Sequence, residues 1–330
     1  MTRTKKEYGG FLPLELNPGK EWFATYEPSL MRFNSVKASL ICLLEQFRPK
    51  RICLPYYYCP TTIAAIKHTG TEVTWYHIGE DLLGRDIPDE PDTMVLLVNY
   101  FGVLDEALTS MAQTFCRARV ILDHAHSFFC PPLQKENVYS TYSAKKFFGI
   151  PDGAYLVGEV NRAAEQAPSF MAAHAQYLLT AYEEGTNAAY GLKKQVDGAI
   201  AGNYAPMSVL AAGLLQNVDY DRVCRRRKEN FSLFHRAFAD VNALQLPDSC
   251  AAYHYPLLLN DMGEYVKKRL VQDKIYVPTL WNGQELHLYG TEFEKGLTRN
   301  TAFLPVDQRY DEADVQYMIE KIKEYMNEYS

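Results

Sequence analysis

The stretch YSTYSAKKFFGIPDG, residues 139–153, sets two adjacent lysines directly before two phenylalanines. The runs on either side, VYSTY and GAYLVGEV, read as strands. Lysine is rarely fully buried unless it is paired, yet Phe147 and Phe148 turn the segment inward. An amine that joins covalently to an aldehyde must first lose its proton. Desolvation by aromatic neighbours lowers a lysine pKa and makes that easier. The segment therefore points to a reactive lysine held between two strands.

Upstream, strand and helix patterns alternate. SVKASLICLLEQF, residues 35–47, places apolar residues at 36, 40, 43, 44 and 47, a helical face with Ser35 as its N-cap. RICLP reads as a buried strand, TTIAAIKHTG as a helix stopped by Gly70, and EVTWYHI as an alternating strand. TMVLLVN reads as a fully buried strand. LDEALTSMAQTF is helical, and RVILD is a short buried strand ending in Asp123. This order predicts an α/β sheet covered on both faces. Ligands in such sheets gather beyond the carboxyl ends of the strands, where Asp123 and the lysine pair both fall.

Beyond about residue 205 the pattern changes. A helix is expected from 219 to 241, then YHYPLLL and KIYVPTLW as strands, with DMGEYVKKRLVQ as a helix between them. Val315, Met318, Ile319, Ile322 and Tyr325 give a last helix one apolar face. The expected division is a large α/β domain with an N-terminal arm over residues 1–220 and a smaller α+β domain over 221–330.

The 330 residues are 47% hydrophobic, enough for a substantial core, and carry a net charge of −6. The one basic run, CRRRKENF at 224–231, reads as a solvated helix face, so nucleic-acid binding is not expected. Seven cysteines without CxxC spacing, no signal-peptide core and no bilayer-length apolar run point to a reduced, cytoplasmic chain away from the membrane. DHAH at 123–126 lacks the further ligands of a zinc site. No GxGxxG follows the first strand, and no GxSxG is present.

Pyridoxal 5'-phosphate requires a lysine, a carboxylate at its pyridine nitrogen and an anion site for its phosphate. Asp123 is a candidate for the second and the Ser35 end of the first helix for the third. Thr141 and Ser143 add hydroxyls near the lysines. Taken singly, Asp123 reads as a strand-end cap and His126 as a structural histidine. Tyr56–Tyr58 read as packing residues, Asn203 as a turn residue and Lys145 as a solvated or ion-paired side chain. The ordered set is what favours a cofactor.

That order resembles the DegT/StrS-type sugar aminotransferases of the aspartate-aminotransferase fold (fold type I), over most of the chain. FNSVKASL resembles the family's phosphate-binding helix. CLPYYYCPTTIAAIKHTGTEVTWYHI and LLVNYFG resemble its next strands and helix. VILDHAHSFF resembles the segment of the cofactor carboxylate, YSTYSAKKFFGIPDGAYLV the lysine segment, GNYAPMSVLAAGLL the loop and helix after it, and FLPVDQRYDEADVQYM the closing turn and helix.

The resemblance implies an α/β fold with a large, mixed and mostly parallel sheet flanked by helices, plus a smaller C-terminal α+β domain. It implies that Lys146 binds the cofactor, because Thr141 stands five before it and Gly153 seven after; Lys145 is the reserve. Asp123 would meet the pyridine nitrogen, and His126 would lie beside the ring. Ser35, Val36, Lys37, Thr141 and Ser143 would line the phosphate side. The stacking aromatic falls at Cys59, so Tyr58 or Tyr57 takes that place. Asn203 would reach the phosphate of the neighbouring subunit in a homodimer with shared sites. The implied activity is transfer of an amino group from an amino acid such as glutamate to a keto-sugar, nucleotide-linked, for surface polysaccharides or glycosides. A sugar dehydratase and a non-catalytic regulatory or binding protein on the same fold are the alternatives. The dehydratase relatives lose the lysine that this chain keeps.

Overall fold

The computed structural model describes residues 8–160, 172–201 and 204–329. Asn203, expected at the phosphate of a neighbouring subunit, lies outside them.

The chain enters a sheet with β1 (Leu30–Phe33) and crosses to α1 (Val36–Phe47). Ser35 caps α1: its hydroxyl accepts from the Ala38 amide at 3.2 Å, an interaction that typically contributes about 1 kcal/mol. Next come β2 (Arg51–Pro55), α2 (Pro60–Lys67), β3 (Glu72–Tyr76), β4 (Thr93–Val98), α3 (Asp105–Thr114), β5 (Arg119–His124), β6 (Val138–Ser143) and β7 (Ala154–Val157). These seven strands form one sheet in the order β1-β7-β6-β5-β4-β2-β3. β2 to β6 pair in parallel, and β7 is antiparallel to both its neighbours. Residues of β4 are buried throughout, as are all but the first of β5. That is what a sheet covered on both faces requires.

A helical pair, α4 (Gln176–Glu184) and α5 (Thr186–Ala201), follows, and then α6 (Val209–Leu215). Asp152 anchors α6, accepting from the Ser208 amide at 3.0 Å and the Ser208 hydroxyl at 2.5 Å. The segment before α6 is tied to the start of α1, where the Asn34 amide donates to Ala205 O at 2.8 Å.

The C-terminal part contains α7 (Tyr220–Phe238), β8 (His254–Leu258), α8 (Gly263–Gln272), α9 (Gln284–Tyr289), α10 (Glu292–Asn300), β9 (Thr301–Pro305) and α11 (Glu312–Tyr329). β8 and β9 make a two-stranded antiparallel sheet. Phe231, Phe234 and Ile322 join Tyr255 and Leu304 of that sheet in a second core.

Two sequence expectations are corrected here. KIYVPTLW forms no strand, and FLP, the start of the segment likened to a closing turn, lies in β9 and pairs with β8. Lys274 and Trp281 both have positive φ, at 61° and 55°, and Pro278 has no amide to donate to a ladder. Ile275 and Val277 are nevertheless buried in the second core, which explains their strand-like hydrophobicity. The helical pair α4–α5, and α10 with its capping box at Thr291 and Glu294, had no counterpart in the sequence reading.

Candidate active site

Asp123 sits near the carboxyl end of β5, beside Thr141 of β6 in the parallel register. Its carboxylate is buried and has two protein donors. Ala125 donates its amide to Oδ1 at 2.8 Å, and Tyr58 donates its hydroxyl to Oδ2 at 2.5 Å. Burial raises the Asp123 pKa, against the Tyr58 hydrogen bond, the charge of Lys146 and the Ala125 amide. The same burial, reinforced by the Asp123 charge, keeps the Tyr58 phenol protonated. Two carboxylate oxygens have about four acceptor positions, so Asp123 retains capacity for a further N–H donor.

Lys146 follows β6 in a short helical turn, Ala144–Lys146. The turn is tied back to the sheet by Gly153 O, which accepts from the amides of Ala144 at 3.1 Å and Lys145 at 3.3 Å. Gly153 holds φ at +136°, and a Cβ there would stand 3.0 Å from Ile150 Cδ1, so glycine is the residue that fits. Desolvation lowers the Lys146 pKa, and the charges of Asp123 and Cys59 oppose that shift. The neighbouring Lys145 has a different fate: its ammonium is ion-paired to Asp197 of α5 at 2.5 Å.

His126 is buried, and neither of its ring nitrogens has a hydrogen-bond partner. Its pKa lies well below the ordinary value, from burial first and then from Lys146 and His254. The imidazole is held between two rings. Trp281 stacks on it at 5.2 Å and 13°, and Tyr253 leans on it at 5.1 Å and 35°. The backbone of Gly102, in the YFG segment, presses on the His126 carbonyl. A Cβ on Gly102 would lie 2.1 Å from that oxygen, and φ there is +86°. Tyr253 and Trp281 come from the C-terminal part, where they open and close the two runs read as strands, YHYPLLL and KIYVPTLW; nothing in either run marks them as site residues.

Lys37, in the first turn of α1, is half-buried. Burial lowers its pKa; Cys59 and Asp197 act upward, and Lys145 acts downward. Two ammonium groups therefore feel each other near a helix N-terminus, where the helix dipole also favours an anion. Burial raises the Cys59 thiol. Hydrogen bonding with Thr61 and Thr62, and the charge of Lys146, outweigh that and leave its pKa below the ordinary value. Val36 opens α1 half-buried. The Thr141 hydroxyl, fully buried, donates to Leu122 O at 3.3 Å, and Ser143 is buried at the end of β6. Tyr57 packs away from Asp123: it stacks on Tyr100 at 5.6 Å, and its carbonyl accepts from the Tyr100 hydroxyl.

The chemistry of this donor set fits pyridoxal phosphate. A desolvated amine, a buried carboxylate with spare acceptor capacity, an unpartnered imidazole and a cationic helix start occur together. Among the described residues, no group of three or more His, Cys, Asp or Glu is arranged to hold a metal ion. No helix among them is long and apolar enough to cross a membrane.

No protein-family model matches the chain, and no curated protein sequence does. Solved structures do. Helicobacter pylori PseC, an aminotransferase involved in the biosynthesis of pseudoaminic acid, is 15% identical with a TM-score of 0.63, over 91% of this chain and 87% of that one. The putative sugar aminotransferase Spr1654 from Streptococcus pneumoniae, solved in its PLP form, is 16% identical with a TM-score of 0.61, over 91% and 88%. The sugar aminotransferase CalS13 from Micromonospora echinospora is 16% identical with a TM-score of 0.60, over 90% and 87%. The chain thus has the fold of these aminotransferases along nearly its whole length.

Proposed function

We propose that this protein is a pyridoxal-phosphate-dependent aminotransferase that transfers an amino group from an amino acid, glutamate, to the ketone of a nucleotide-linked sugar. The observation that carries this reading is the convergence of Lys146, Asp123 and His126 beyond the carboxyl ends of the parallel strands, with Lys37 and the α1 N-terminus alongside. When bound, the cofactor supplies an electrophilic carbon for amines and a cationic ring that accepts electron density. Asp123, with acceptor capacity to spare, would hold the ring N–H. Ser35, Lys37 and the amides opening α1 would hold the phosphate. Lys146 Nζ, whose pKa burial lowers, would be the group placed to accept and return a proton at the donor's α-carbon. His126 lines the ring beside them.

The test is spectroscopic. Purified protein mixed with pyridoxal phosphate should develop a visible absorbance band that dialysis does not remove. Glutamate should then bleach it in favour of a near-ultraviolet band, and a keto-sugar should restore it. Absence of a retained visible band refutes the cofactor. A band that no amino acid bleaches refutes transamination and leaves a binding role.

The proposed assembly is a homodimer with shared sites. Phe11, Leu12 and Leu14 near the N-terminus, and Leu179, Tyr182 and Tyr190 on α4 and α5, are exposed large apolar side chains. Their number supports burial against a second copy. Sedimentation at micromolar concentration should give a two-chain species, and a single-chain species would rule the shared site out.

A further inference from the structure

The C-terminal part reaches the lysine itself. Lys146 Nζ lies 5.6 Å from the centroid of the Tyr253 ring, on its face, within the range at which a ring quadrupole attracts a cation. The same ring leans on His126 at 5.1 Å and on Phe147 at 5.9 Å. Its backbone is fixed as firmly. The Tyr253 amide donates to His126 O at 3.0 Å. Arg227 of α7, fully buried, donates through Nη1 to Ala252 O at 3.0 Å and Tyr253 O at 3.4 Å, and through Nη2 to Phe147 O at 3.4 Å. Its guanidinium also lies over the Phe147 ring at 4.4 Å. One buried cation thus ties the Ala252–Tyr253 backbone to Phe147, the residue after Lys146.

We infer that Tyr253 is a positioning residue for Lys146, its ring face seating the ammonium next to His126. The inference deepens the proposed function by adding a contact from the C-terminal part to the reactive amine. The seat has a chemical consequence. A cation–π contact stabilises the charged form of the lysine only, so it restrains the downward pull of burial. The other charged or titratable groups acting on Lys146 are Asp123 and Cys59, which also favour its charge. His126 and His254 feel the ammonium and are kept neutral, by burial first. Burial also raises the Tyr253 phenol above its ordinary value, which favours the neutral ring.

The test needs no cofactor. Cofactor-free protein is labelled with trace acetic anhydride across a pH series, and acetylation of Lys146 is read by peptide mass spectrometry. The midpoint of the rate against pH reports the amine. Tyr253→Phe keeps the ring face and should leave the midpoint where it is. Pentafluorophenylalanine at 253 keeps the shape and removes the negative face; it should lower the midpoint by about half a pH unit or more. Tyr253→Leu should do the same. An unchanged midpoint in the fluorinated protein overturns the inference, whatever the leucine variant does. A shifted midpoint in protein that captures no pyridoxal phosphate would uphold the seat and refute the cofactor reading, so the two fail separately.

Discussion

Lys146→Ala is expected to yield folded protein that holds no covalently retained pyridoxal phosphate and has lost transamination by about 10²–10⁴-fold or more, the usual contribution of a positioned proton-transfer group. Lys145→Ala is the informative partner. Lys145 is engaged by Asp197 at 2.5 Å and belongs to the cationic region near Lys37. Its loss should weaken cofactor affinity while leaving the covalent attachment in place. The measurement is borohydride treatment of each variant with added cofactor, followed by peptide mapping of the pyridoxyl group. Label on Lys146 in the wild type and in Lys145→Ala, and none in Lys146→Ala, is the expected pattern. Label on Lys145 in the wild type would show that the salt bridge to Asp197 opens and that the assignment of the two lysines is reversed.

The distinction between those lysines shows what local sequence carries. The strand-turn-strand pattern around residues 139–153 is local, and so are the N-cap at Ser35 and the buried run of β5 ending beside Asp123. Each rests on side-chain periodicity or on one capping hydrogen bond, and each was legible. The direction in which a side chain leaves a turn depends on what stands around it. Lys145 meets Asp197 from a helix that the sequence pattern did not announce, and Lys146 meets Tyr253, more than a hundred residues on in the chain, just before β8. The choice between Tyr57 and Tyr58 was open for the same reason. Both are buried aromatics in one cluster, and only the sheet geometry brings the Tyr58 hydroxyl to Asp123 while Tyr57 stacks on Tyr100. In the C-terminal part, hydrophobicity misled: Ile275 and Val277 are core residues without a strand, and the ladder partner of β8 is β9. Trp281 lies in that same irregular segment and reaches His126 because its backbone takes a left-handed turn, a contact that no window of sequence contains.

Asp123→Asn is expected to fold, to bind pyridoxal phosphate, and to transaminate about one to two orders of magnitude more slowly. The argument starts from the hydrogen bonds already present. An asparagine carbonyl can still accept from the Ala125 amide, and its NH2 can donate to the Tyr58 hydroxyl oxygen in place of the present Tyr58-to-Asp123 bond, so the buried polar groups keep partners. What the amide lacks is negative charge. A hydrogen bond to a charged partner contributes roughly 1.5–3 kcal/mol, and each 1.36 kcal/mol of barrier is tenfold in rate. Under the proposed function, a bound cofactor would hold its ring proton less firmly beside a neutral amide, and the ring would then be a weaker electron acceptor. The same charge also supports the Lys146 ammonium, so the variant's amine should titrate at lower pH as well. Single-turnover rates with glutamate, read from the decay of the visible band across a pH series, measure both effects. A folded Asp123→Asn protein with wild-type half-reaction rates would reduce Asp123 to a strand-end residue that caps Ala125 and anchors Tyr58.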